Sequence, residues 1–590
     1  MVNEYDIIIK DAKIVDGVNK AHSGSLGING DRIVTVGDFH GDAKQVIDAS
    51  GLIAMPGFVD SHSHADGGFP YYPNCESAVY QGCTTVIAGQ CGGSPAPVAD
   101  KMRPPRIFSD EIFKKNPYMY RPESSQMSLD DINAMLKERL GWEITWKTMG
   151  GYFEFLRGKG ISINYAPLVG QGTIRRVVLG EEYKRECTPE ELEQMKEYIH
   201  QAMKDGCLGL SVGLDYDPSV FANKNEIDGC VSVLKEYNGI YVPHWRRTGR
   251  RRNVGMGSKL AEPIEGIIEV VETCKKTGTR LNIAHLAPGW HTIPPMTPEI
   301  GKSIGEATLK PIDDAIAEGH DIAFDCIPWQ CWEPLPYLSS AHFPQWLRLL
   351  GSREKVAEWL KVGDFRKKAW EEIEAGKIFQ RVVINPCLNP HWAENLMITK
   401  HNNLEYDGIL LSEAAEKTGN DPWNTLCNLI VEDPHSRGSH TDYRGVEEQM
   451  KTFFQHPRCS VGLDVSVTDD KWERKVPPYG IPLPDTYSGY PKFITRYARD
   501  RQVFTIEEVA YKCATYPAQF HKLQDRGTLT KGSYADVTLI DMPNLKIVGH
   551  PAESRNYPEG IPYVIVNGTI VIENAKHTGA RTGSILTKKK

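Results

Sequence analysis

Between residues 53 and 463 short apolar runs alternate with amphipathic segments, and this alternation restricts the fold more than any other feature of the chain. Strand-like runs occur at 53–59, Thr84–Ala88, Ile163–Val169, Leu208–Ser211, Ile240–Pro243, Leu281–Ala284, Asp321–Asp325, Val382–Asn385 and Ser460–Leu463. Helices with readable ends lie between several of them. Thr188-Pro189-Glu190-Glu191 is a capping box with proline at the first helical position, and Thr505 with Glu508 is a second box. Gly278 reads as the C-cap of an amphipathic stretch from Ile264 to Lys276. Alternating β and α units imply a parallel sheet, and over this length the economical form is a TIM-like (β/α)8 barrel. Nine candidates compete for eight places, so at least one strand lies outside the barrel.

The two ends have a different texture. Ile7-Ile8-Ile9, Lys13-Ile14-Val15, Ser25-Leu26-Gly27-Ile28 and Arg32-Ile33-Val34-Thr35-Val36 are short strands separated by Gly, Asn and Asp. Near the C-terminus, Ala535–Ile540 and Tyr563–Val566 are strand-like, and Asn567-Gly568 signals a hairpin into Thr569–Ile572. Residues 1–55 and 527–590 are therefore expected to build one small β-sandwich domain, with the barrel over 56–526. Residues 100–145 and 286–310 break the alternation and read as insertions, of the kind that form lids and substrate walls.

Composition narrows the function. With 40% hydrophobic and 24% charged residues the chain is of ordinary globular type, and a net charge of -8 argues against nucleic-acid or membrane-surface binding. No stretch approaches the ~18 apolar residues of a spanning helix, and the acidic N-terminus carries no signal-peptide pattern. Thirteen scattered cysteines suit free thiols, so a cytoplasmic location is expected. Self-association is left open.

Chemistry-bearing residues gather where strands end. Asp60-Ser61-His62-Ser63-His64 follows the 53–59 run, and residues i and i+2 of a strand point to one side, so His62 and His64 can serve one ion. Cys91, His244, His285 and Asp464 each follow another strand candidate. In a parallel barrel all carboxyl ends meet at one face, which brings the six together. Imidazoles, a thiolate and a carboxylate suit zinc or a similar divalent ion, in one or two copies. Such an ion lowers the pKa of a coordinated water towards ~7, giving hydroxide near neutral pH. Asp464 is then placed to take the water's proton and pass it to a leaving nitrogen. Singly, each residue is more often structural: a lone histidine is usually hydrogen-bonded, a cysteine buried, an aspartate after a strand a helix cap. Their shared position favours a metal site.

The order of these motifs resembles the amidohydrolase superfamily, and within it the D-aminoacylase (N-acyl-D-amino-acid deacylase) branch. The resemblance runs through Pro56–His64, Gln81–Val86, Gly89-Gln90-Cys91-Gly92, Ala166–Gly170, Gly209-Leu210-Ser211-Val212-Gly213-Leu214, His285-Leu286 and the tail at Gly527–Leu529, Gly532–Asp536 and Val566–Gly568. It implies a hydrolase of amide C–N bonds acting on a small-molecule amide by metal-activated water. It further implies a tighter ion on Cys91, His244 and His285, a weaker one on His62 and His64 with Cys91 bridging, Asp464 as the catalytic aspartate, and Arg246 as a substrate-binding arginine.

Departures from that branch bear on substrate. Its lysine after the sixth-strand His-Leu is Ala287 here, its tyrosine after the seventh-strand aspartate is Trp329, and its His-Pro-Arg segment is not recognisable between Asp464 and Gly489. A free carboxylate would thus lack charge-assisted partners. Trp290, Trp329 and Trp332 offer a flat apolar wall instead, with Trp290 and Trp329 the expected substrate contacts. The alternatives are a cyclic amide or imide hydrolase, whose hydantoinase-like representatives carry a carboxylated lysine where Cys91 stands, a deaminase, and, last, a non-catalytic binding module.

Overall fold

Eight parallel strands occupy the centre of the computed structural model: Phe58–Ser63, Cys83–Ala88, Asn164–Gly170, Gly209–Gly213, Ile240–His244, Arg280–Ile283, Ile322–Cys326 and Cys459–Val461, strands 1 to 8 below. The structure describes residues 4–102, 104–108, 111, 126–246, 262–287, 297–328, 337–343, 346–347, 350–375, 387, 391–440, 444–471, 482–549 and 554–588. Each strand pairs with the next in chain order. The ring is closed where Ser63 bridges Val465, where Asp464 N–H donates to the His62 carbonyl at 2.8 Å, and where His64 N–H donates to the Val465 carbonyl at 2.8 Å. This is a TIM-like barrel. Its strands are buried almost without interruption because both faces are covered, by side chains inside and by helices outside.

The helices follow their sequence signals. Thr188 and Glu191 form the expected reciprocal cap of Pro189–Asp205, Thr505 and Glu508 do the same for Ile506–Ala510, and Gly278, at φ 66°, ends Glu262–Thr277. The 53–59 run is divided. Ile53–Pro56 pairs antiparallel with Val537–Ile540, and Phe58–Ser63 opens the barrel, so His62 lies within strand 1 rather than beyond it. Gly57 marks the division: a Cβ there would fall 2.2 Å from the Thr84 side chain.

Both chain ends build one connected nine-stranded sheet among the described residues, from Glu4–Ile14 through Lys576–His577, with Ile9, Ile14, Leu26, Ile28, Val537 and Leu539 in its core. Asn567 and Gly568 both adopt positive φ, as the two-residue turn between Tyr563–Val566 and Thr569–Glu573 requires.

The longest excursion is not one of the two expected. Of 286–310, the portion from Pro298 is barrel helix, Pro298–Ala317, capped by Thr297. The 100–145 stretch contains the short pair Lys101–Met102 and Met127–Ser128 and the helix Leu129–Leu140. Between strands 7 and 8, by contrast, lies a unit with its own hydrophobic core, including Leu338, Phe343, Leu360, Leu396, Leu426 and Ile430. It holds the helices Arg353–Leu360, Gly363–Glu374, Leu411–Thr418 and Pro422–Glu432 and the antiparallel pair Leu396–Lys400 and Arg437–His440. The strand expected at Val382–Asn385 lies outside the described residues. No described helix is long and apolar enough to cross a membrane, and the described cysteines are all free thiols.

Candidate metal centre

Barrel geometry turns strand-end residues distant in sequence into neighbours. His62 and His64 reach the same side of strand 1, with ring centroids 5.7 Å apart, and both approach one oxygen of Asp464: Oδ1 lies 3.4 Å from His62 Nε2 and 3.1 Å from His64 Nε2. Cys91 follows strand 2. Its Sγ lies 3.5 Å from His62 Nε2, 3.6 Å from His244 Nδ1 and 3.4 Å from His285 Nε2. The last two nitrogens are 2.7 Å apart. The six residues thereby form two clusters sharing the thiol: His62, His64, Cys91 and Asp464, and Cys91, His244 and His285.

Three of the six sit in left-handed backbone, Cys91 at φ 54°, His285 at φ 37° and Asp464 at φ 55°. Non-glycine residues hold that conformation only where their surroundings over-determine it, at a cost of ~1–3 kcal/mol each. For Cys91 the surroundings are the ends of strands 3 and 4. Gly92 N–H donates to Ser211 Oγ at 3.0 Å, and that hydroxyl donates to the Gly89 carbonyl, so one side chain spans both sides of Cys91. Gly213 admits the loop because a Cβ there would stand 2.3 Å from the Cys91 carbonyl oxygen.

Buried charge completes the picture. Burial alone would push the Cys91 thiol up, but His62 and His285 outweigh it and hold the thiol well below its ordinary range. Burial likewise opposes an ionised Asp464, and His62 and His64 hold it well below the usual carboxylate range. Against the same penalty, Asp464 and Cys91 raise His64 to about 10, while Asp325, Cys91 and Asp464 raise His62 well above its usual value. The centre thus gathers positive charge around a thiolate and a carboxylate. A thiol can donate only one proton, yet three imidazole nitrogens surround this one. One cation in each cluster would satisfy every donor atom, and sulfur with imidazole nitrogen is a zinc-type set.

The other expected site residues fare differently. Arg246 is nearly buried and paired: Nε lies 3.0 Å from Glu269 Oε2, and Nη1 donates to the Leu214 carbonyl at 2.9 Å. A substrate anion there would compete with Glu269. Trp290 and Trp329, with Trp332, fall outside the described residues. Several residues that touch the ligands were not singled out from the sequence. Asp60 accepts the His62 N–H at 3.1 Å, Asp215 Oδ2 lies 3.5 Å from His244 Nε2, and Asp325 accepts the His285 N–H at 2.7 Å. Asp215 and Asp325 close strands 4 and 7, the same strand-end position that drew attention to Asp464.

The sequence pattern of the amidohydrolase family matches residues 45–207 and 467–572. D-aminoacylase of Alcaligenes xylosoxydans xylosoxydans is 24% identical over 591 residues, 99% of this chain and 98% of its own. The N-acyl-D-glutamate deacylase of the same organism is 25% identical over 598 residues, 100% of this chain and 98% of its own. Over residues 45–207 and 467–572 the chain is similar to the amidohydrolase family, and along its whole length to these two deacylases. It is a metal-dependent hydrolase of carbon–nitrogen bonds other than peptide bonds. In structure, this hydrolase is similar to N-acyl-D-glutamate deacylase from Bordetella bronchiseptica, at a TM-score of 0.67 and 22% identity over 99% of this chain and 100% of that one. That protein was solved with zinc and a phosphonate inhibitor that mimics the tetrahedral intermediate of its reaction.

Proposed function

We propose that this hydrolase cleaves a linear amide of the N-acyl-D-amino-acid type, through a substrate-carboxylate site unlike that of the D-aminoacylase branch. The observation that carries the reading is the sharing of Cys91 between two ligand clusters, where hydantoinase-like enzymes place a carboxylated lysine. The relatives that match the whole chain are named for the deacylation of D-amino-acid derivatives, which supports the linear amide.

Zinc is the proposed ion, because thiolate and imidazole donors suit it. Cys91, His244 and His285 would hold one ion, and His62 and His64, with Cys91, a second. When bound, the metal supplies a Lewis acid for the amide carbonyl and lowers the pKa of water at the site. Asp464 does the proton work. Its carboxylate is kept ionised by two imidazoles on Oδ1, and with a quarter of its side chain exposed it can meet the reacting groups. It accepts the proton of the attacking water and returns it to the departing amine nitrogen. His64, 38% exposed, flanks the same face and fixes the carboxylate's orientation.

The carboxylate of the substrate is where the site departs. Ala287 offers no charge, and Arg246 is engaged by Glu269. Trp290 and Trp329 are proposed to pack against the acyl portion. A panel of N-acyl-D-amino acids, carboxylate-free amides and cyclic amides, presented to the zinc-supplemented protein, tests the proposal. Turnover of linear amides, abolished by Asp464→Asn, is the expected result. Turnover confined to cyclic amides, or ammonia release from ring amines, would replace it.

A further inference from the structure

Asp325, fully buried at the end of strand 7, stands between the two ligand clusters and belongs to neither. Its Oδ1 accepts the backbone N–H of His285 at 2.7 Å and lies 3.5 Å from His62 Nδ1. Its Oδ2 accepts from Asn282 Nδ2 at 2.7 Å. The Asp325 carbonyl in turn accepts the Leu286 N–H at 2.7 Å, so the end of strand 6 is fastened to this residue on both sides of His285. That fastening holds His285 at φ 37°, a conformation a histidine does not adopt unaided. Space for the carboxylate comes from Gly462 after strand 8, where a Cβ would stand 2.8 Å from Asp325 Oδ1 and 2.7 Å from His62 Cβ.

The consequence for the ligands is geometric. An imidazole has two nitrogens, and a carboxylate set beside one of them favours the ring orientation that turns the other away. With Nδ1 against Asp325, His62 presents Nε2 to Cys91 Sγ and Asp464 Oδ1. His285, held by its backbone, presents Nε2 to Cys91 and to His244. A single carboxylate therefore sets one ligand in each cluster, by two different means.

We propose that Asp325 is a positioning residue that couples the two metal subsites, orienting His62 through its ring and His285 through its backbone. The proposal rests on the reading of the two clusters as metal sites. It predicts an asymmetry between two substitutions. Asparagine keeps an oxygen that can accept the His285 N–H but removes the charge facing His62. Alanine removes both.

The test is metal binding by the full chain, stripped of metal and titrated with zinc against a chromophoric chelator, then with cobalt(II), whose first equivalent reports the tighter Cys91/His244/His285 site through its thiolate charge-transfer absorption and whose second reports the His62/His64 site. Asp325→Asn is expected to weaken the His62/His64 site by about 10–100-fold, the range typical of lost partners of metal-bound histidines, and to leave the first cobalt equivalent with wild-type absorption. Asp325→Ala is expected to weaken both sites by at least about 10-fold. Asn282→Ala, which removes only the Oδ2 partner, should give a smaller loss of zinc affinity and serves if Asp325→Ala does not fold. Wild-type affinity at both sites in Asp325→Asn and Asn282→Ala, or equal losses at both sites in Asp325→Asn, would overturn the proposal. A wild-type protein that takes up no metal would overturn the metal-site reading itself, a separate result.

Discussion

Ser211→Ala is predicted to damage the metal centre without touching a ligand. Ser211 is fully buried, donates to the Gly89 carbonyl and accepts the Gly92 N–H, and so spans the loop that holds Cys91 at φ 54°. Alanine leaves a buried carbonyl and a buried N–H without that partner, at about 1–3 kcal/mol each, so the expected loss is about 2–6 kcal/mol. The upper part of that range applies if the loop cannot move, the lower part if it relaxes. Relaxation is not harmless, because it carries Cys91 away from three imidazoles now 3.4–3.6 Å from its sulfur. Urea unfolding of the metal-free protein isolates the hydrogen-bond loss, since bound metal adds its own stabilisation through linkage. Zinc titration of the folded variant then reads the displacement of Cys91. Gly213→Ala attacks the same loop by another route, forcing a Cβ against the Cys91 carbonyl oxygen at 2.3 Å, and should weaken zinc binding as well. Wild-type urea midpoint and wild-type zinc affinity in Ser211→Ala would refute the reasoning.

Other consequences are as open to measurement. Arg175 and Glu226 form an ion pair with both side chains fully buried; Arg175→Met should strand the carboxylate and lower stability by about 3–5 kcal/mol in denaturant titrations. Burial lowers His342 to about 4 and, with Arg280 nearby, lowers His521 to about 3. Both folded values lie below the unfolded value of about 6.5, so their neutral forms favour the fold above that pH and the contribution is lost as pH falls from about 6.5 towards 4. The unfolding free energy should drop across that window by up to ~1.4 kcal/mol per pH unit per histidine, and replacing His521 with phenylalanine should flatten the slope.

Much of the barrel was legible because its strands are short apolar runs bounded by turn residues, a pattern set by burial on both faces. The six strand-end residues were legible for a topological reason: a parallel barrel gathers every carboxyl end, so position in sequence translates into position in space. The unit between strands 7 and 8 was not legible. Its helices, such as Pro422–Glu432 with its Asp421 cap, carry the same local signals as barrel helices, and nothing local tells which core they bury into. Arg246 illustrates another limit. Its place after His244 suggested an anion site, yet its partner Glu269 comes from the helix Glu262–Thr277, a pairing fixed by tertiary packing alone. The sequence assigns no role to Asp215, Asp325 and Ser211 because a polar residue at a strand end is common, and only the neighbouring histidines and the Cys91 loop give these their meaning.

The central claim, metal-dependent amide hydrolysis at this face of the barrel, is tested most directly by measuring zinc per chain and amide turnover on the same samples of wild type, His285→Ala and Asp464→Asn. The account predicts that His285→Ala loses metal and turnover together, whereas Asp464→Asn retains metal and loses turnover. Full turnover in Asp464→Asn, or undiminished metal and turnover in His285→Ala, would contradict it.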